Sequence, residues 1–561
     1  MNDFTADVLA DGRQLIFEFG NKNVTRFAGL PEAMKIVRKD GLVKPLAEEL
    51  EKHLPRHLLT YRYSHLDLVE QMLAGIFTEN QRFSDALNVQ KDPYYCACFS
   101  HGIASPATLC RNAQRINEYA TAEQLQALEK DNVTNPAKTD ARYVTTPLMD
   151  KLSYSLLTAT LKVIKKYAPL HPSEPIIIDV DGTPIRLYGK QEMVAFDGHY
   201  MCNCYLPIFI TINGCPAFIQ NAPGAANGAA LLLIHIEEIL KRVKKAFPKK
   251  RIIVRGDTGY NNDALMAKIE ELGCRFIFGV NSGGGKIQTN LFKQQVIKDM
   301  QGLTAADGVP EAVLQYLAPE AYQLTGEALS EKSFPKEVEK FRCCGILRDY
   351  KPKSWTAERT YICYRLQYNS VYRGDEDGGV NIRYIQTNMT KKELLKTTQG
   401  RGQRKARSSA EASLEKDKNV ALLAIEFYEA LFCDRGMDEQ RNCEWKSQCY
   451  ASCCSCEGFF SNSFLMLIAG FAMLALVCLR KQVFPHAEEP SGRHRHSCKP
   501  NVSRAHKAEK SHIGPSVRSI RKYLINIPAI IKFQARKCRV SLGDMLPFWA
   551  DAFSRLNRLA P

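Results

Sequence analysis

"IIIDVDGTPI", residues 176 to 185, sets an apolar strand against two carboxylates and a glycine. Side chains two apart on a strand point to the same side, so Asp179 and Asp181 share one face. Two carboxylates on one face repel, which suits a positive partner such as a metal ion or a phosphate ligand with its metal. An aspartate-rich turn closing the strand is the plain alternative, because Asp and Gly are also turn residues. The rest of the chain decides between them.

Around this strand the pattern is α/β. "PIIIDVDGTPIRLYG", "HYMCNCYLPIFITING" and "CPAFIQNAP" are three short apolar segments joined by turn residues. An amphipathic helix, "GAALLLIHIEEILKRVKKAF", follows, then a buried strand, "RIIVRGDTGY", a helix, "NNDALMAKIEELG", and a strand, "RFIFGV". This block spans residues 170–285. Before it, residues 1–165 read as mainly helical, with "GLPEAMKIVRKDGLVKPLAEELEKHL" and "YSHLDLVEQMLAGIF" apolar at helical spacing. Ser105-Pro106-Ala107-Thr108 is a helix start with Arg111 projecting from the first turns. A short helix, a turn and a second helix suit a DNA-binding helix-turn-helix, and a plain helical hairpin equally.

Residues 286–390 are β-rich, with strands expected in "FRCCGIL", "RTYICYRLQY" and "NIRYIQTNM". A basic linker, "KKELLKTTQGRGQRKARSSAEASLEKDK", covers 391–418 and helices resume over 419–481. Residues 482–561 read as a polar, basic tail with a short helix near 515–534.

A length of 561 residues implies two to four domains, and 45% hydrophobic content is that of a folded chain. A formal charge of +16 and a pI near 9.0 favour a polyanionic partner such as nucleic acid. The start, "MNDFTADVLADGRQ", lacks the basic and apolar parts of a signal peptide, and 19 scattered cysteines do not form a secreted disulfide framework. A reduced cytosolic protein is expected, with chance sequons at Asn23 and Asn132. "FLMLIAGFAMLALVCL", residues 464–479, is sixteen uncharged residues. That is short of the roughly 20 that span a bilayer, so a buried core helix is expected and no membrane. "CYASCCSC" and "HRHSC" lack paired C-x-x-C spacing, so packed cysteines are expected there in preference to zinc ligands.

D-x-D-G-T after an apolar strand resembles the opening motif of haloacid dehalogenase-like phosphatases. That resemblance implies Asp179 as nucleophile and Asp181 as general acid, and "GDTGYNND", residues 256–263, resembles their acidic metal-binding motif. Three features oppose it. Asp257 and Asp263 are spaced too widely, two strands follow the first where a doubly wound fold needs a helical crossover, and most of the chain is left without a role.

The strand and helix order instead resembles an RNase H-like nuclease core, whose first acid sits on the first strand, second at the end of the fourth and third on a later helix. Asp181 and Asp257 take the first two places. In "FCDRGMDEQRNCEWK", residues 432–446, Phe432, Arg435, Glu439 and Lys446 fall on one face of a helix. Such a Glu can join a metal site while Arg and Lys neutralise a phosphate. A surface salt-bridge ladder is the plain alternative. The spacing resembles the Y-(2)-R-(3)-E-(6)-K signature of IS4-like DDE transposases, with Phe432 in place of Tyr.

"DVDGT", "HYMCNCYLP", "NAPG", "RGDTGY", "YIQTNM", "CDRGMDE" and "SNSFLMLIAGFAMLALVCLRK" resemble, in that order, the related IS1380 group over about residues 20–481. Cys443, Leu465 and a long linker depart from the group's pattern.

The resemblance implies an RNase H-like core interrupted by a β-rich insertion, preceded by a helical domain that binds terminal inverted repeats. It implies metal-dependent strand cleavage and transfer, with two Mg²⁺ or Mn²⁺ ions held by Asp181, Asp257 and Glu439. Arg435, Lys446 and Phe432 would lie at the phosphate, Arg111 at the repeat DNA, and Asp179 would be structural. A homodimer on DNA in a bacterial cytoplasm is expected. A remnant that binds repeat DNA without cutting it is the non-catalytic alternative.

Overall fold

Apolar stripes at helical spacing build the first part of the chain. In the computed structural model they form α1 (Leu30–Lys39), α2 (Lys44–His53), α3 (His65–Phe77), α4 (Pro106–Lys130) and α5 (Pro147–Tyr167). The structure describes residues 4–8, 14–17, 23–56, 61–131, 144–168, 170, 174–280, 294, 296–298, 313–314, 340–347, 361–369, 380–389, 393, 432, 436–484, 515–534 and 537–558. Ser64 starts α3 with a reciprocal capping box: its Oγ accepts from the Asp67 amide, and Asp67 accepts from the Ser64 amide. Ser105 caps α4 by accepting from the Thr108 amide at 3.2 Å, with Pro106 at the first helical position. Arg111 is exposed on the second turn of α4, behind the short helices Ala86–Val89 and Pro93–Ala97. This region is not purely helical. Phe4–Val8 pairs with Gln14–Phe17, and Val24–Thr25 forms a further short strand.

Runs of β-branched residues then form strands buried on both faces. β1 (Ile176–Gly182) is antiparallel to β2 (Ile208–Ile212), and β2 to β3 (Cys215–Gln220). After α6 (Gly228–Ala246) the chain returns as β4 (Ile252–Gly256), parallel to β1; after α7 (Asp263–Glu271) it returns as β5 (Arg275–Val280), parallel to β4. The spatial order β3-β2-β1-β4-β5 is RNase H-like. A doubly wound phosphatase would join its first strands in parallel through helices, whereas here β1, β2 and β3 are antiparallel with no helix between them.

The second apolar segment is two strands, not one. Cys202–Tyr205 pairs with Ile185–Arg186 and Ala195–Asp197 in a separate three-stranded sheet, and only Ile208–Ile212 enters the main sheet. Pro207 marks the break, since it cannot donate to a ladder. The β-rich insertion supplies β6 (Lys340–Leu347), β7 (Tyr361–Asn369) and β8 (Val380–Thr387). β8 pairs antiparallel with β5, so these strands extend the core sheet to eight. Edge pairing explains this: β5 would otherwise present an open row of backbone groups. Apart from Glu393, the basic linker lies outside the described residues.

The last helices are α8 (Gly436–Cys443), continued by a π turn over Glu444–Gln448, and α9 (Phe459–Val483). α9 is long and apolar enough to cross a membrane, yet 94% of its most apolar window is buried within the protein, as expected of a core helix. It packs against α3, α4, α5 and β3. Asn117 of α4 accepts from the Phe460 and Ser461 amides at 2.8 and 3.1 Å, capping α9 from another part of the chain. At Gly470 a Cβ would lie 2.4 Å from Ile219 Cδ1, so the glycine sets the approach of α9 to β3.

The region from 482 departs from a plain tail. It contains α10 (Val517–Ile520) with a π turn over Arg521–Ile525, the hairpin β9 (Ala529–Gln534) and β10 (Lys537–Leu542), and α11 (Pro547–Arg558). β9 pairs with Val24–Thr25, and the Ala28 and Gly29 amides donate to Ile527 and Ile525 carbonyls at 3.1 Å. A Cβ on residue 29 would fall 1.7 Å from the Leu524 carbonyl oxygen. The charge of this region hides a set of buried isoleucines and leucines whose partners lie at the other end of the chain.

Candidate active site at the strand ends

Parallel pairing of β1 and β4 places Arg255 directly opposite Asp179. Both are buried, and the guanidinium donates from Nε to Oδ1 at 2.5 Å and from Nη2 to Oδ2 at 2.8 Å. Arg441 of α8 adds a contact to Oδ2 at 3.3 Å. Asp179 is 2% exposed and its two oxygens are taken. It cannot be the reachable nucleophile that the phosphatase reading requires. It fastens β1 to β4 and to the catalytic-helix candidate α8.

Two residues further along each strand, on the same side, stand Asp181 and Asp257. Neighbouring strands lie about 4.8 Å apart, so this spacing brings the two carboxylates together at the carboxyl ends of the strands. Both are half-buried. Asp257 Oδ1 accepts from the Gly259 amide at 2.9 Å, capping the 3₁₀ turn Thr258–Tyr260. Asp181 Oδ2 accepts from Asn442 Nδ2 at 2.5 Å. Asp263 is the first residue of α7, where its charge favours the helix dipole.

Asn442 lays one face of α8 over Asp181. Glu439, three residues earlier on that face, is exposed, and Lys446 lies four residues later. Lys446 Nζ donates to the Pro184 carbonyl at 3.3 Å; burial lowers its pKa while the Asp181 charge pulls it up. The helical phase expected from the sequence changes at Glu444, where α8 becomes π-helical, yet Lys446 remains near Asp181. Trp445 stacks on Phe209, which stands opposite Asp181 in the sheet register, at 4.8 Å. Phe432 is half-buried, and Arg435 lies outside the described residues. Among the described residues no three His, Cys, Asp or Glu side chains converge as a metal cluster, so Glu439 does not join Asp181 and Asp257 here. Paired carboxylate oxygens at Asp181 and Asp257 fit a hard divalent cation such as Mg²⁺ or Mn²⁺.

Three contributors were not picked out from the sequence. Arg255 precedes Asp257 by the same two residues that separate Asp179 from Asp181, a regularity visible in "DVD" and "RGD". Asn442 carries no sequence signal beyond its place three residues after Glu439. Tyr200 sits at the tip of the hairpin joining Ala195–Asp197 to Cys202–Tyr205, where Asp197 Oδ1 accepts from the His199 and Tyr200 amides. Burial and the nearby charges of Asp181 and Asp257 raise its phenol pKa. The "CYASCCSC" cysteines are packed: burial pushes the Cys449 and Cys454 thiols up to about 12. "HRHSC" lies outside the described residues.

Among curated proteins no sequence matches this one. The structure is similar to a piggyBac transposase solved as a synaptic complex with hairpin DNA, with 8% identity over 94% of this chain and 80% of that one. Its TM-score of 0.34 is too low to carry an argument. The sequence comparison is decisive, because the match runs through both strand-end aspartates, the insertion and the helix bearing Glu439, over residues 9–493. An RNase H-like sheet with two acids at adjacent strand ends is thus joined to a match over most of the chain: the protein belongs to the family described as Transposase DDE domain group 1.

Proposed function

We propose that this chain, a member of the IS1380 group, is a cut-and-paste DNA transposase acting on the terminal inverted repeats of its element. The observation that carries the reading is the placement of Asp181 and Asp257 at the ends of adjacent parallel strands, with α8 held over them by Asn442. Residues 1–165, with Arg111 exposed on α4, bind the repeats, and the strands of 286–390 contact the DNA end. Two copies act together on DNA, since two ends must be handled at once. The setting is a bacterial cytoplasm.

Asp181 and Asp257 would hold divalent ions, and Glu439, on the first turn of α8, would complete the site. Bound there, such ions would supply activation of the attacking water or 3′-hydroxyl and stabilisation of the leaving oxygen. Lys446 and Arg435 neutralise the phosphate beside the cut, and Phe432 lies next to it without the hydroxyl that a tyrosine would offer. Asp179 and Arg255 keep the strand ends aligned, so the acids are positioned before DNA arrives.

A second reading has one observation in its favour. Glu439 stands apart from the aspartate pair, as it would in a remnant that binds repeats without cutting. A plasmid carrying the element ends, incubated with Mg²⁺ or Mn²⁺, separates the two. End-specific cleavage that falls by at least about 10³-fold in Asp181→Asn, Asp257→Asn and Glu439→Gln supports the transposase. Tight binding of the ends with no cleavage by the wild type supports the remnant.

A further inference from the structure

We infer that the C-terminal hairpin β9–β10 is a second DNA-contacting element, a basic β-ribbon that grips the phosphate backbone of duplex DNA. The inference rests on the transposase reading only for the identity of the polyanion. The hairpin lies beyond residue 493, where the family match ends.

Residues 515–542 contain seven Lys and Arg and no Asp or Glu. The register puts Lys532 directly opposite Arg539 and Gln534 opposite Lys537, and all four are exposed. Like charges facing one another across a ladder destabilise a hairpin. Among the described residues neither Lys532, Lys537 nor Arg539 has an acidic partner. The other face holds Ala529 and Ile531, which are buried and fix the ribbon to the body. The arrangement therefore keeps an uncompensated positive stripe on a rigid support.

The support is the region proposed to bind the repeats. β9 pairs with Val24–Thr25, and Thr25 Oγ1 donates to Asp92, which caps the helix Pro93–Ala97 leading toward α4. The same segment reaches the catalytic helix. The Val517 amide donates to Glu444 at 3.1 Å, and the Arg518 amide to Gln448 at 2.7 Å. A two-stranded ribbon also has the width that a major groove admits, so its basic stripe can follow the flanking phosphates. Binding there would bear on both the repeat-binding region and α8.

The test uses the full chain and a linear duplex lacking element ends, with binding followed by fluorescence anisotropy across a KCl series. Each phosphate contact contributes about 0.9 to the slope of log affinity against log salt. The triple variant Lys532→Gln, Lys537→Gln, Arg539→Gln is expected to bind with a slope shallower by about 2 to 3. Lys532→Arg with Lys537→Arg is expected to keep the wild-type slope, and thermal melts of both variants to overlay the wild type. An unchanged slope in the triple variant overturns the proposal, as does a lack of duplex binding by the intact chain. Cleavage of element ends is read separately. Cleavage with an unmoved slope sinks the ribbon alone, whereas a shallower slope without any cleavage leaves the ribbon standing and removes the catalytic reading.

Discussion

Asp179 and Asp181 are two residues apart on one face of one strand, yet they sit in opposite electrostatic worlds. Around Asp179 the charges are closed: two arginines face a buried carboxylate, and a turn further along α8 the buried Glu444 meets Arg480 at 3.4 Å. Around Asp181 they are more open, with a second aspartate beside it, the Asn442 amide donating to it and Lys446 close enough to feel its charge. The difference teaches what each layer does. A buried, paired charge holds elements in register and is costly to break. Like charges side by side at a half-exposed rim add little to stability and suit the binding of a cation.

Removing one partner from the closed layer should have the largest effect. Asp179→Asn or Arg255→Met is expected to destabilise by about 3–5 kcal/mol in urea unfolding, because the remaining charge stays buried after losing its bidentate partner. By contrast Asp181→Asn and Asp257→Asn should leave stability unchanged or raise it by up to about 1 kcal/mol while abolishing cleavage. A destabilised Asp181→Asn and an untouched Asp179→Asn would reverse the comparison.

The next effect concerns the C-terminal return. Gly29→Ala drives a Cβ into the Leu524 carbonyl, and a loss of about 1–3 kcal/mol is expected, with faster protease cleavage near residues 515–530. Equal cleavage rates in variant and wild type would mean that the segment is held elsewhere.

The smallest effect separates a half-buried acid that lies 4.0 Å from the His235 imidazole from the arginine-paired Asp179. Asp150 in α5 is half-buried near Glu123, and burial pushes its carboxyl up to about 7. The folded state therefore favours its protonated form. That contribution is complete below the ordinary carboxyl pKa of about 4 and is lost as pH rises through 7. Asp150→Asn should raise the Tm at pH 8 and leave it unchanged near pH 4, with a gain on the order of 1 kcal/mol.

Much of the core is legible in the sequence. Isoleucine runs, turn residues and helical spacing mark local structure because each records which face of the chain is buried. They placed β1 to β5 in order, and the strand-end positions of Asp181 and Asp257 followed from counting along those strands. The phosphatase alternative for the same motif could be set aside from strand order, and the antiparallel pairing of β1 with β2 agrees.

Other features needed the third dimension. Residues 482–561 read as a basic tail with one short helix near 515–534, because nothing local reveals that Ile525 and Ile527 meet Gly29 and Ala28. The insertion strands gave their own periodicity but not the edge they would join. Asp179 and Asp181 look alike in a string of letters. By itself the sequence determined which residues could carry charge to the strand ends. Which carboxylate is neutralised was decided only by tertiary structure, because an ion pair depends on strand register and helix docking, and both bring together residues far apart in the chain.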